Sequence, residues 1–310
     1  MKRPVPFLLA CGLAATAWHA AAAPLKRADL PANPAWVLHL DCDALRQAFF
    51  GKYLVYELDK PELNSNMVAF QSTFGFDLRT QLHGLTVYSD DLTPRDNVFL
   101  LYADLVPDHI IKLVEAKETV EITKNNQHLI FSWTDNGNKP DAPRKYAVIE
   151  SNRIVTGSSK AIIIAALAAI DGTAPNHSAS QALPESGAAS NATFLQITAR
   201  QMDFLGSNPN ATLFKMARRL KFQASETDEQ LNAVLVLEAG DEITAKQMSI
   251  VAQGFVALLT LQKDNPKTAR LATGLSVKQD GSTVTVTLFI PSIDLIAAIK
   301  EYTAKKAAKE

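Results

Sequence analysis

Cysteine is nearly absent from this chain, with two in 310 residues, Cys11 and Cys42. Cys11 lies in the apolar N-terminal stretch, so the folded part holds Cys42 alone and has no internal disulfide. Stability must then come from a hydrophobic core, and a chain that is 47% hydrophobic can build one. An excess of charge is missing too: the formal net charge is -1. Nucleic-acid binding needs a basic patch to neutralise phosphates, so that class is set aside. Aromatic residues make up only 7%, and Trp36 and Trp133 fall at strand positions that point to a core. No aromatic stripe is left to stack on sugars or bases. Long apolar runs are also scarce beyond the N-terminus. The run AIIIAALAAI (161–170) has ten residues, half of what a bilayer span requires, and suits a buried helix. Residues 250–261 are broken by Gln253, Gly254 and Thr260 and lie between Lys246 and Lys263. They are expected to form a core helix in which Gly254 lets a neighbour approach closely, with no transmembrane span in the mature chain.

What is present begins with an export signal. Lys2 and Arg3 supply the positive start, residues 5–17 the apolar stretch, and Ala20-Ala21-Ala22 the small-residue cleavage site. Cleavage near Ala22 gives a periplasmic or secreted protein. Leu8-Leu9-Ala10-Cys11 forms a competing lipobox, which would make a lipoprotein through Cys11, but the apolar stretch before it is short. Removing 22 residues from 310 leaves 288, and losing Lys2 and Arg3 moves the charge from -1 to -3.

Hydrophobic periodicity predicts a strand over 35–45 running into a helix capped by Asp43, and helices at 53–58 and 64–74. Strands follow at 85–89 and 98–102, with a helix at 107–116. Hairpins turn around Asn125-Asn126 and Ser151-Asn152, and a helix spans 160–170. Residues 172–190, rich in Ala, Ser, Pro and Gly, form a linker. Beyond it come a strand at 192–199, a helix at 209–217 and strands at 220–224 and 233–237. A helix at 241–261, a hairpin around Asp280-Gly281 and a helix capped by Ser292 complete the chain. The order of the first half thus returns in the second, less one hairpin. The fold class is α+β: two related modules, 23–171 and 191–310, each a mostly antiparallel sheet with helices on one face.

The densest chemistry is His39-Leu40-Asp41-Cys42-Asp43. Aligning the halves sets His39 against Gln196, Leu40 against Ile197 and Asp41 against Thr198. Side chains alternate along a strand, so Leu38, Leu40 and Cys42 are expected on an apolar face, and His39, Asp41 and Asp43 on a polar one. Cys42 then points away from His39 and behaves as a buried hydrophobe, not a nucleophile. His39 and Asp41 are the pocket candidates. A metal site needs further ligands, and His83, His109, His128 and His177 are scattered singly, so no metal or cofactor is expected. Asp90-Asp91, and the acidic stretch 226–229 that corresponds to it, suit exposed loops. VTGSSKA (155–161) lacks P-loop and nucleophile-elbow spacing, and Ser158 or Ser159 as a helix cap accounts for it. Asn176, Asn191 and Asn210 head glycosylation tripeptides, which carry no meaning after a bacterial signal.

The stretches VLHLDCDALR (37–46), FGFDLRTQLHGLTVYS (74–89) and LIFSWTD (129–135) resemble a group of uncharacterised exported bacterial proteins with a duplicated α+β module. That resemblance implies export and two modules, and implies no activity. The expected function is therefore a non-catalytic binding or interaction protein of the bacterial cell envelope, with an envelope protein or a small ligand as its partner. Two alternatives remain. An envelope hydrolase would need His39, Asp41 and a hydroxyl to converge in a pocket. A periplasmic carrier of an apolar ligand would need a continuous apolar cavity of at least roughly 300 Å³.

Overall fold

A computed structural model describes residues 24–90, 96–134, 143–177, 192–200, 212–261 and 266–307. The expected export signal, Asp91 and most of the expected linker lie outside the described residues. After a single turn of 3-10 helix at Arg27–Asp29 come β1 (Trp36–Asp41), α1 (Cys42–Gln47), α2 (Phe49–Leu58) and α3 (Pro61–Phe74). Next are β2 (Leu82–Ser89), β3 (Val98–Ala103), α4 (Pro107–Glu115), β4 (Glu121–Asn125) and β5 (His128–Thr134). The first half closes with β6 (Arg144–Ile149), β7 (Arg153–Gly157) and α5 (Lys160–Ile170). The second half holds β8 (Thr193–Arg200), α6 (Thr212–Lys215), β9 (Ala217–Thr227), β10 (Gln230–Ala239) and α7 (Glu242–Thr260). It ends with α8 (Pro266–Thr273), β11 (Leu275–Asp280), β12 (Thr283–Pro291) and α9 (Ser292–Ala307).

The fold is α+β. All twelve strands pair antiparallel in one sheet, ordered β11-β12-β10-β9-β8-β1-β2-β3-β7-β6-β5-β4. The two halves meet where β1 pairs with β8, with Leu38 opposite Ile197 and His39 opposite Gln196. Residues directly opposite share a face, so the ladder can be followed across the sheet. On one face it reads Leu275, Leu288, Ala233, Ala224, Leu195, Leu40, Leu85, Leu101, Ile154, Ile149, apolar throughout. Helices cover this face: α1 packs Ala44 and Ala48 with Phe194, Ala224 and Ile290, α7 packs Ala245 and Met248 with Leu237 and Val284, and α4 packs Ile110 beside Leu101 and Ile154.

The opposite face reads Ser276, Thr287, Val234, Gln223, Gln196, His39, Thr86, Leu100, Val155, Val148. Its polarity changes at Thr86. Beyond Thr86 the row is apolar, and α5 covers it with Ile163, Ala166 and Leu167, joined by Leu30. The helices of the first half therefore lie on both faces of the sheet and not on one. The start of the expected linker is also tied down. His177 N donates to Leu30 O at 3.0 Å, and Ala32 N donates to Pro175 O at 3.2 Å.

Candidate functional site

His39 and Asp41 occupy the more deeply buried face of β1, at 1% and 3% exposure, while Leu38 and Leu40 are only half-buried. Alternation separates the two faces, but it cannot say that a helix 120 residues later will cover the polar one. His39 Nδ1 lies 2.8 Å from Thr86 Oγ1, directly across the β1–β2 ladder. Asp41 serves as the cap that Asp43 was expected to be: its Oδ1 accepts from Ala44 N at 2.8 Å at the start of α1. Asp43 instead holds Arg46 and His83. Cys42 is free and buried, and burial pushes its thiol up to about 11, against the nearby Arg46.

Three cavities were resolved beside the described residues, and neither His39 nor Asp41 lines any of them. One of about 20 Å³ adjoins His177 and Arg200. One of about 160 Å³ lies between Tyr88, Val98 and Ile162. The third, of about 380 Å³, is an open depression at the ends of β5 and β6, lined by Ile111, Leu129, Phe131, Ile149, His128 and Glu150.

The strongest polar cluster was not visible as spacing, because its six members come from five parts of the chain. His128 Nδ1 lies 3.1 Å from Glu150 Oε1, and its Nε2 lies 3.0 Å from Asp171 Oδ2. Arg153 donates to Glu150 at 2.6 Å and to Asp29 at 3.0 Å. Tyr102 Oη donates to Asp29 at 2.7 Å. Burial and the Asp29 carboxylate push the Tyr102 hydroxyl well above the usual tyrosine range. Three carboxylates, Asp29, Glu150 and Asp171, are held by the Arg153 guanidinium, the Tyr102 hydroxyl and the His128 ring, both of whose nitrogens are engaged. The cluster rivets α5 and the N-terminal segment to the sheet.

His83 is clamped in the same way. Its Nδ1 lies 3.1 Å from Asp43 and its Nε2 lies 3.0 Å from Asp104. Burial lowers its pKa, but the two carboxylates outweigh burial and the net direction is up. His177 behaves oppositely: burial holds it down, although its Nδ1 lies 2.9 Å from Ala32 O. No group of three or more His, Cys, Asp or Glu that could hold a metal ion occurs among the described residues.

In the acidic stretch 226–229, residues 227–229 are exposed at the β9–β10 turn, as expected of a loop, but Glu226 is not. Glu226 is buried, and its carboxylate accepts from Phe49 N, from Phe50 N at 3.1 Å and from Ser292 Oγ at 2.6 Å. It caps the N-terminus of α2, whose own N-cap residue Ala48 has no side chain for the task.

The most exposed apolar feature is α7. Asp241 caps it by accepting from Thr244 N at 2.7 Å. Its first half is anchored by Ala245, Met248, Ser249 and Ala252, but no later residue of the helix is buried. Ile250, Phe255, Leu258 and Leu261 are 57% to 69% exposed. The helix expected at the core therefore leaves it halfway along. Nothing lies within 4 Å of where a Cβ of Gly254 would stand, so that glycine serves no close approach. By length and composition alone, α7 is long and apolar enough to cross a membrane, and 22% of its apolar window is buried.

No family model and no curated protein matches this chain. Among solved structures, crystal forms III, I and IV of the Treponema protein TP0453 are similar, with TM-scores of 0.49, 0.47 and 0.44. Identities are 6%, 7% and 8%. The alignments cover 89%, 89% and 91% of this chain and 97%, 96% and 98% of TP0453.

Proposed function

We propose that this chain is a non-catalytic binding protein of a bacterial cell envelope, exported by its N-terminal segment, which docks through the outer half of α7. The observation that carries this reading is the uncharged stretch 247–261, which leaves Ile250, Phe255, Leu258 and Leu261 facing out. Exposed apolar surface on this scale marks an interaction site in a soluble fold. The polar side chains favour the same reading. His39, Asp41 and His128 are buried and engaged, which suits a structural role better than turnover.

The test is fractionation of cells that make the full chain. The wild-type protein is expected to be processed near Ala22 and to remain with an envelope assembly. The double variant F255D/L258D is expected to appear as free protein in osmotic-shock fluid. Release of both proteins alike, or retention in the cytosol, would overturn the proposal.

The open depression of about 380 Å³, where Ile111, Leu129 and Phe131 adjoin His128 and Glu150, supports a second reading, a carrier of a small ligand with apolar and polar parts. Native mass spectrometry of protein taken from its own envelope would show a retained ligand, and consistently bare protein counts against it.

We further read the two halves as copies of one unit. Counting outward from the centre, the strands run β1-β2-β3-β7-β6 on one side and β8-β9-β10-β12-β11 on the other. The connections occur in the same order. His39 and Gln196, which the internal alignment equates, stand opposite one another in the central pair, as a two-fold axis through that pair requires.

A further inference from the structure

We propose that the outer half of α7 enters the interfacial layer of a lipid bilayer, so that the protein is held at a membrane without spanning it. This rests on the reading of α7 as a docking element and names its occupant.

The first half of α7 sets the geometry. Ala245 and Met248 are packed against Leu237 and Val284 in the core, so the helix cannot cross a bilayer without leaving the sheet. Only the last three turns are free to insert. There the exposed positions are 253, 254, 255, 257, 258, 260 and 261. The apolar ones among them, Gly254, Phe255, Ala257, Leu258 and Leu261, sweep roughly 160° at 100° per residue, and Gln253 and Thr260 lie along one edge of that arc. A protein groove covers a stripe of about 100°, the width of an ordinary amphipathic face. An uncharged apolar arc wider than that stripe, bordered by polar side chains, fits a helix lying in the boundary between headgroups and acyl chains.

The polar groups in these turns point the same way. No charged residue occurs from Gln247 to Leu261. Thr260 Oγ1 closes its donor inside the helix, on Ala257 O at 2.7 Å, and Gln253, whose Nε2 donates to Ser249 Oγ at 3.3 Å, stands at the margin of the apolar arc. Protein interfaces carry a polar rim that seeks partners. A hydroxyl with its hydrogen bond already closed suits an apolar medium, and an amide at the margin of the arc suits the headgroup layer. An exposed cation, Lys246, lies outside the apolar turns, one turn inside the helix start, where headgroups can meet it, and Arg270 on the neighbouring α8 pairs with Asp294 at 2.9 Å.

The test uses the mature chain, beginning at residue 23, and vesicles of phosphatidylethanolamine and phosphatidylglycerol. Wild-type protein is expected to float with the vesicles, and F255D/L258D is expected to bind roughly tenfold less or weaker still. V106D, a change at an exposed apolar residue far along the chain, should bind as wild type. Because the double variant can fail to fold, F255W provides an independent readout: its emission should shift to the blue when vesicles are added. Flotation that F255D/L258D leaves unchanged, with no F255W shift, overturns the proposal. If the protein ignores vesicles but forms an oligomer that F255D/L258D abolishes, the lipid is wrong and the docking role of α7 stands. If it neither floats nor associates, both readings fall.

Discussion

Glu226 ties three elements of the protein together through one carboxylate. It reaches two backbone amides at the start of α2 and the hydroxyl of Ser292 at the start of α9. Truncating it strands buried donors, each worth about 1–3 kcal/mol when left unmade. Glu226→Ala should therefore lower the unfolding free energy by about 2–4 kcal/mol in urea titrations, and Glu226→Gln, which keeps one acceptor oxygen, by less. Nothing in the sequence around Glu226 announces this, because its partner amides lie 176 and 177 residues away. The same separation hid the His128 cluster, whereas Ser159 as the cap of α5 was legible because its partner amide is three residues on. His83 gives a prediction in pH. Its folded pKa is raised by Asp43 and Asp104 above an unfolded value of about 6.5. Its contribution is therefore complete below about pH 6.5 and is lost as pH rises through the folded value. The stability deficit of His83→Gln should be larger near pH 5.5 than near pH 8.5, and a deficit independent of pH would refute the clamp.

At the scale of elements, the contact between α1 and α2 hangs on Gly51. A Cβ there would stand 1.6 Å from Leu45 O, a backbone atom that cannot rotate aside. Gly51→Ala should cost about 3 kcal/mol or more, since overpacking against backbone forces the helix to shift, and thermal unfolding followed by circular dichroism would register it. Local chemistry made several elements readable. Residues 160–170 and 107–116 were placed by periodicity, and the last hairpin by its glycine. The turn itself falls one residue later, with Gly281 at φ +53° ahead of Ser282. The β9–β10 turn was not readable, because Asp228 and Glu229 both take positive φ without a glycine. The environment of α7 was not readable either. Apolar composition fits a core helix and an exposed docking helix alike, and only the shared neighbours of the sheet decide between them.

On the scale of the whole molecule, the two halves are bound more closely than two modules on a linker would be. β1 and β8 share a ladder at the centre of one sheet, so separating the halves would expose two long unpaired edges. They also share a core: Ala44, Leu45 and Ala48 from α1 pack with Phe194, Leu231 and Ile290 from the second half. Alternation in β1 showed which residues belong together on a face, but both faces of a central strand are covered by segments far along the chain. That is why alternation set His39 and Asp41 on one face and could not show that this face is buried. It follows that residues 191–310 produced alone should not give a stable monomer. The β8 edge would be open along Leu195 and Ile197, and the floor of that core would lose α1. Coexpressing residues 23–177 should restore a soluble complex that unfolds in a single transition, since the shared sheet couples the halves. Cutting the intact chain between 178 and 190 should leave the two pieces eluting together on size exclusion. A monomeric 191–310 fragment with its own cooperative urea transition would show instead that each half closes its core without the other, and that the central ladder is a contact between finished domains.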